Sequence, residues 1–193
     1  MSVNPRKIAI YSSLPAAKII EFAQDHITCD PDFSIAMIVT NHQEPAEFDS
    51  PIFYVKINSD WDYTGELEST LLQSMHAYFV DMILVIDADF VLGKFTTTQF
   101  KGKLIRYSTK LPVGPIFNGL PGVQVFHPNG KYLPVFTENA TTHDLMMHPI
   151  SAVLRAYDTN RLSFSPRGAH FERQPLNVIT PAFGNPGIPK FAE

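Results

Sequence analysis

The chain has no glycine before Gly65. A first strand that hands over to a phosphate-cradling turn needs glycine there, because backbone must approach the anion closely. Residues 1–64 hold neither a G-x-G-x-x-G nor a P-loop pattern, which excludes an ordinary nucleotide-binding first turn. There is one cysteine, Cys29. That excludes an intrachain disulfide and a cysteine metal cluster. Its setting beside Asp30, at the end of an expected helix, is poor for a thiolate. Long apolar runs are also missing. The longest aliphatic stretch, Met82–Ile86, is far too short to span a membrane. The apolar run after Arg6 and Lys7 stops at Tyr11 and Ser12, so it does not read as a signal peptide. Charged residues make up only 18% and the net charge is −4, which argues against a general nucleic-acid binder. The expectation is a cytoplasmic protein with a small-molecule partner and neither nucleic acid nor membrane.

What is present is apolar: 45% hydrophobic and 12% aromatic residues in 193, enough for the core of one domain. KIAIY at 7–11 reads as the first strand. Ser13 reads as the cap of a helix that extends to about Ile27, with Pro15 near its first turn. SIAMIVT at 34–40 reads as a strand buried on both faces, and residues 51–57 as a shorter third strand. Leu67, Leu71, Leu72, Met75, Tyr78 and Phe79 mark one face of a helix near 63–79. Met82–Ile86 is the most hydrophobic strand. A short helix near 96–100 precedes a strand at 103–107. This β-α-β-β-α-β-α-β order predicts an α/β, Rossmann-like, mostly parallel sheet. Ligands in such sheets bind beyond the carboxyl ends of the strands.

Eleven of the sixteen prolines lie from Pro112 onward. Residues 123–127 and 132–136 read as a hairpin around Pro128–Lys131, with Pro134 suited to an edge strand. A helix is expected over 142–157, with Pro149 kinking it or marking its start. Arg161–Phe164 reads as a strand. The expected organisation is one domain over 1–165 and an extended tail over 166–193.

Four stretches together resemble the formyltransferase amino-terminal domain family: KIAIYSSLPAAKIIEFA, MIVTNHQ, DMILVIDADFVL and FKGKLIRYSTKLP. HPISAVLRAYDTNRLSF is a weaker match to the family's last helix. The resemblance implies a cleft for a tetrahydrofolate derivative and formyl transfer by an Asn, a His and an Asp. This sequence departs at each of them. One register puts Ile105 and Tyr107 at the Asn and His positions, and the other puts Arg106 and Ser108 there. The loop that carries the family's Asp is reduced to Pro128–Lys131, and the glycine-containing phosphate turn is replaced by Ser12-Ser13-Leu14-Pro15.

Three readings follow. The first is a degenerate formyltransferase-like protein that keeps a cleft for a small anionic or heterocyclic ligand. Ser12, Ser13, Asp87, Asp89, Phe90, Tyr107 and Lys110 would line that cleft. Asp87 and Asp89 form an acidic pair that suits the N–H groups of a heterocycle. The ordinary role of such a pair is to cap a turn. The second is an active transformylase with Arg106, Ser108 and His127 as its rearranged catalytic set. The third is an interaction protein, packing against a partner or a second copy of itself. Residues 90–137 carry Lys94, Lys101, Lys103, Arg106, Lys110 and Lys131 and no acid, which suggests a basic mouth at the strand ends. The histidines lack metal-site spacing. The sequence itself fixes no cofactor and no metal.

Overall fold

A computed structural model describes residues 4–56, 65–90, 92–100, 102–112, 115–127, 129–140, 145 and 148–173. The elements in chain order are β1 (Arg6–Ser12), α1 (Ala16–His26), β2 (Phe33–Thr40), β3 (Ile52–Tyr54), α2 (Gly65–Ala77), β4 (Met82–Ile86), α3 (Lys94–Gln99) and β5 (Lys103–Tyr107). β6 (Gly119–His127), β7 (Lys131–Phe136), α4 (Pro149–Asp158), β8 (Leu162–Ser165) and β9 (Gly168–Phe171) follow. The strands form one sheet in the order β3-β2-β1-β4-β5-β6-β7-β9-β8. From β3 to β5 every pairing is parallel. β6 then reverses direction against β5, and β7 reverses again. β9 runs parallel to β7, and β8 closes the edge antiparallel to it.

Alternation along the strands divides the core into two layers. Ile8 and Ile10 of β1 face α1 and α4, where they meet Ile19, Ala23, Val153 and Leu154. Ala9 and Tyr11 face the other way, onto Leu71 and Met75 of α2. β4 is buried along its whole length, MILVI, because helices cover both of its faces. That full coverage fixes the plane in which the loops after β1, β4 and β5 must emerge.

Three local expectations change and one choice, that at Pro149, is settled. Ser13 does not cap α1. The cap position is Pro15, with no side-chain bond, and Ser13 turns to Asp89 instead. Pro149 stands at the first turn of α4. It marks a start and not a kink, since its missing N–H costs nothing there. Residues 141–144 and 146–147, where the helix was expected to begin, lie outside the described residues. Pro134 is not on an edge strand, because β7 has β6 on one side and β9 on the other. β9 pairs with β7 only at Val135 and Phe136, one step past the proline. Finally, the stretch after Pro166 is not all tail, because 168–171 form β9. Gly168 allows this close approach: a Cβ there would lie 2.6 Å from the Pro134 carbonyl oxygen. Residues 174–193 lie outside the described residues. Among the described residues no helix is long and apolar enough to cross a membrane.

Candidate functional site

The registers align Ser12 with Ile86 and Ile86 with Tyr107. The chain therefore leaves β1, β4 and β5 at one level, and the three exit loops enclose a cleft of about 720 Å³. Asp87, Asp89, Phe90, Arg106, Tyr107, Ser108 and Lys110 all line it. Ser12 and Ser13, expected there as well, are not among its lining residues. Ser12 is fully buried and its Oγ accepts the Leu14 N–H at 3.0 Å.

The two acids are committed to the loops. Asp87 sits at φ +43°, a left-handed conformation that Asp tolerates better than most residues. This turn lets its N–H donate to the Tyr107 carbonyl at 3.2 Å. Its carboxylate accepts the Thr109 N–H at 3.0 Å and the Thr109 hydroxyl. Asp89 accepts from Ser13 Oγ at 2.6 Å and from Asn41 Nδ2 at 2.8 Å. Its own N–H donates back to Ser13 Oγ at 2.8 Å. Asp89 thus ties together the exits of β1, β2 and β4. Phe90 is buried beside Tyr11, with ring centres 6.5 Å apart.

Arg106 is positioned from two sides. Gln124, opposite it on β6, accepts from Nε at 3.0 Å and from Nη2 at 2.6 Å. The guanidinium also lies 4.2 Å above the Tyr132 ring, a cation–π contact. Among the described residues no carboxylate pairs with it. Tyr107 is 2% exposed and its hydroxyl has no partner among the described residues. Burial, reinforced by the Asp87 charge, pushes its phenol up. Burial pushes Tyr132 up as well, against the pull of Arg106. The far wall comes from β6, whose pairing with β7 slips between Leu120 and Gln124. There Gly122 presses on β5: a Cβ would lie 2.8 Å from the Ser108 carbonyl oxygen. Ser108 answers with an N–H bond of 2.9 Å to the Gly122 carbonyl.

Several solved structures share this frame at low identity. Phosphoribosylglycinamide formyltransferase from Coxiella burnetii is 18% identical, with 90% of this chain and 96% of that chain covered at a TM-score of 0.54. The corresponding enzyme from Anaplasma phagocytophilum is 12% identical, with 97% and 100% covered at 0.52. A formyltetrahydrofolate deformylase from Pseudomonas syringae is 10% identical, with 89% and 67% covered at 0.50. The chain has a formyltransferase-like fold. No family model matches the sequence, and no curated protein is similar to it.

On this formyltransferase-like fold the expected residues do not all converge. Arg106 and Ser108 meet at the cleft, but His127 does not. β6 runs antiparallel to β5 with Val125 opposite Ile105. His127 is therefore carried to the amino-terminal edge, where it lines a separate cavity with Lys131 and Phe164. The basic mouth is also dispersed. Lys103 bonds Asn160 at 2.8 Å and lies over Tyr157, at the amino-terminal end of β5. Lys131 lines the cavity that holds His127, and Lys101 lies outside the described residues. Arg106 and Lys110 are the cations among the described lining residues. Sequence reasoning missed Gln124, Tyr132 and Thr109. Gln124 had a signal: it is a polar residue inside the apolar run VQVF.

Proposed function

We propose that this chain is a cytoplasmic ligand-binding protein built on the formyltransferase-like fold. Its ligand is a small molecule with an anionic group and a flat aromatic or heterocyclic body, such as a folate-like or nucleotide-like compound. One observation carries this reading: Arg106 is held by Gln124 and Tyr132 inside the cleft, and among the described residues no carboxylate pairs with it. Both acids of the cleft take their hydrogen bonds from neutral donors, and among the described residues neither is ion-paired with Arg106. Leu14, Val85, Phe90 and Leu92 supply an apolar wall for the flat part of the ligand.

The same set supports loss of formyl transfer. The described lining residues include no imidazole, and Arg106 and Ser108 lack a histidine to move a proton. Binding is tested by thermal shift and titration calorimetry with inorganic phosphate, a folate and purine nucleotides. A ligand at about 100 times its Kd stabilises the folded state by roughly 2.7 kcal/mol. Arg106→Met is expected to weaken anion binding at least tenfold, because a charge-assisted contact is worth about 1.5–3 kcal/mol. If none of these compounds shifts the melting point, the reading fails and an interaction protein takes its place. A formyl-transfer assay with 10-formyltetrahydrofolate is expected to give no product above background.

A further inference from the structure

The β8–β9 hairpin carries a second group of reactive side chains, at the other end of the sheet from the cleft. Ser163 pairs with His170, and Ser165 with Gly168. Ser165 and His170 are therefore diagonal neighbours on one face of the hairpin. His170 Nε2 lies 3.0 Å from Ser165 Oγ, and His170 Nδ1 lies 2.8 Å from Glu138 Oε2. The imidazole is stacked on Phe136, with ring centres 4.8 Å apart and planes 12° apart.

The protons in this chain can be assigned. The bond from His170 holds the Glu138 carboxyl below its ordinary value, so it is an acceptor at neutral pH. In the neutral imidazole Nδ1 then carries the proton. Nε2 is left as a lone pair, and the Ser165 hydroxyl donates to it. Nucleophile, base and orienting carboxylate stand in the order that activates a serine, an arrangement defined by geometry and not by fold. The Arg167 N–H also donates to Ser165 Oγ at 3.2 Å, which fixes the hydroxyl on the tight turn. A cavity of about 380 Å³ walled by Leu133, Phe164 and Pro166 lies beside this turn, on the opposite face of the sheet from the Ser165–His170 contact. The remaining turn bond, from Ser165 Oγ to the Gly168 carbonyl, is longer at 3.4 Å.

We propose that Ser165, His170 and Glu138 form a hydrolytic triad for small esters. Ser165 Oγ attacks the acyl carbon while its proton passes to His170 Nε2. The tetrahedral oxyanion collapses, the bond from carbon to the leaving oxygen breaks, and that oxygen takes the proton from Nε2. Water then attacks the acyl-serine, gives its proton to Nε2, and frees the carboxylic acid as the proton returns to Ser165.

The test uses the full chain with p-nitrophenyl acetate and with a fluorophosphonate, read by intact mass and peptide mapping. The expected result is release of p-nitrophenolate and a fluorophosphonate adduct on Ser165. Ser165→Ala abolishes the adduct. His170→Gln slows it about 100-fold, the usual scale of a general base, with Glu138→Gln as the second variant because that side chain is exposed. Thermal melts establish that each variant is folded. Ligand binding at the cleft is read on the same preparations by thermal shift, so this site and the cleft fail independently. No adduct on Ser165 in the wild type would overturn the proposal. So would labelling of folded His170→Gln or Glu138→Gln at the wild-type rate.

Discussion

Tyr107 sets a stability cost against a place in the proposed ligand cleft. Its phenol is buried and its hydroxyl has no partner among the described residues. A buried unsatisfied hydroxyl costs about 1–3 kcal/mol relative to an apolar group of the same shape. Phenylalanine keeps the ring contact with Phe22, whose centre lies 5.2 Å away, and removes only the oxygen. Tyr107→Phe is therefore expected to stabilise the protein by about 1 kcal/mol, read as a raised urea midpoint at unchanged m-value. The same change is expected to weaken ligand binding if the hydroxyl is kept for the ligand. An unchanged or lowered midpoint would show that the hydroxyl is satisfied in solution. The sequence revealed where Tyr107 stands, at the carboxyl end of a strand after KLIR. It could not reveal the orphaned oxygen, which depends on the packing of Phe22 and Gly122 around the ring.

Among the elements, α4 shows how a helix of ten residues is held to the sheet. Its apolar face packs in the core through Ile150, Val153, Leu154 and Tyr157. Its other anchor is polar. Asp30, buried in the turn after α1, accepts from Ser151 Oγ at 2.6 Å and from the Arg155 guanidinium. Burial pushes the Asp30 carboxyl up, but the bonds from Ser151, the Asp32 N–H and Arg155 outweigh it and hold it below its ordinary value of 3.8. For a lowered carboxylate the linked stability is present above the unfolded value and lost as pH falls through the folded one. Asp30→Asn is thus expected to cost about 2 kcal/mol near pH 7, the scale of hydrogen bonds to a charged group. The gap should close as pH falls below 3.8 and the wild-type carboxyl protonates. Parallel urea titrations of both proteins from pH 7 to pH 3 measure this, and a gap that stays constant with pH would refute it. Legibility also divides by element. β4 could be read because five consecutive apolar residues leave no polar face to place. β9 could not, because GAHF is four residues long and its place depends on Gly168 fitting against the Pro134 carbonyl. The reversal at β6 explains the misplaced histidine. Reading 123–136 as a hairpin was right, but whichever way β6 runs decides the edge at which His127 emerges.

At the scale of the whole molecule two electrostatic effects compete for an anionic ligand. The chain carries a net charge of −4, which repels an approaching anion at long range. The Arg106 guanidinium attracts it at contact, inside a cleft whose acids are already bonded to Thr109, Ser13 and Asn41. Salt separates the two. The Debye length is about 30 Å at 0.01 M and about 10 Å at 0.1 M, so the net-charge repulsion is largely screened by 0.1 M. A contact of about 3 Å in a partly closed site is screened much less, and further salt weakens it by competition from the salt's own anions. If the global charge governs binding, affinity for phosphate or a nucleotide rises with sodium chloride up to about 0.1 M and then levels off. If Arg106 governs, affinity changes little up to about 0.1 M and then falls as chloride competes. The second outcome is the one expected, and Arg106→Met should remove the fall. Calorimetric titrations from 0.01 to 0.5 M salt decide it, because affinity at high salt is flat in the first case and falls in the second. A rise to a plateau would mean that the guanidinium held by Gln124 and Tyr132 does not meet the ligand's charge.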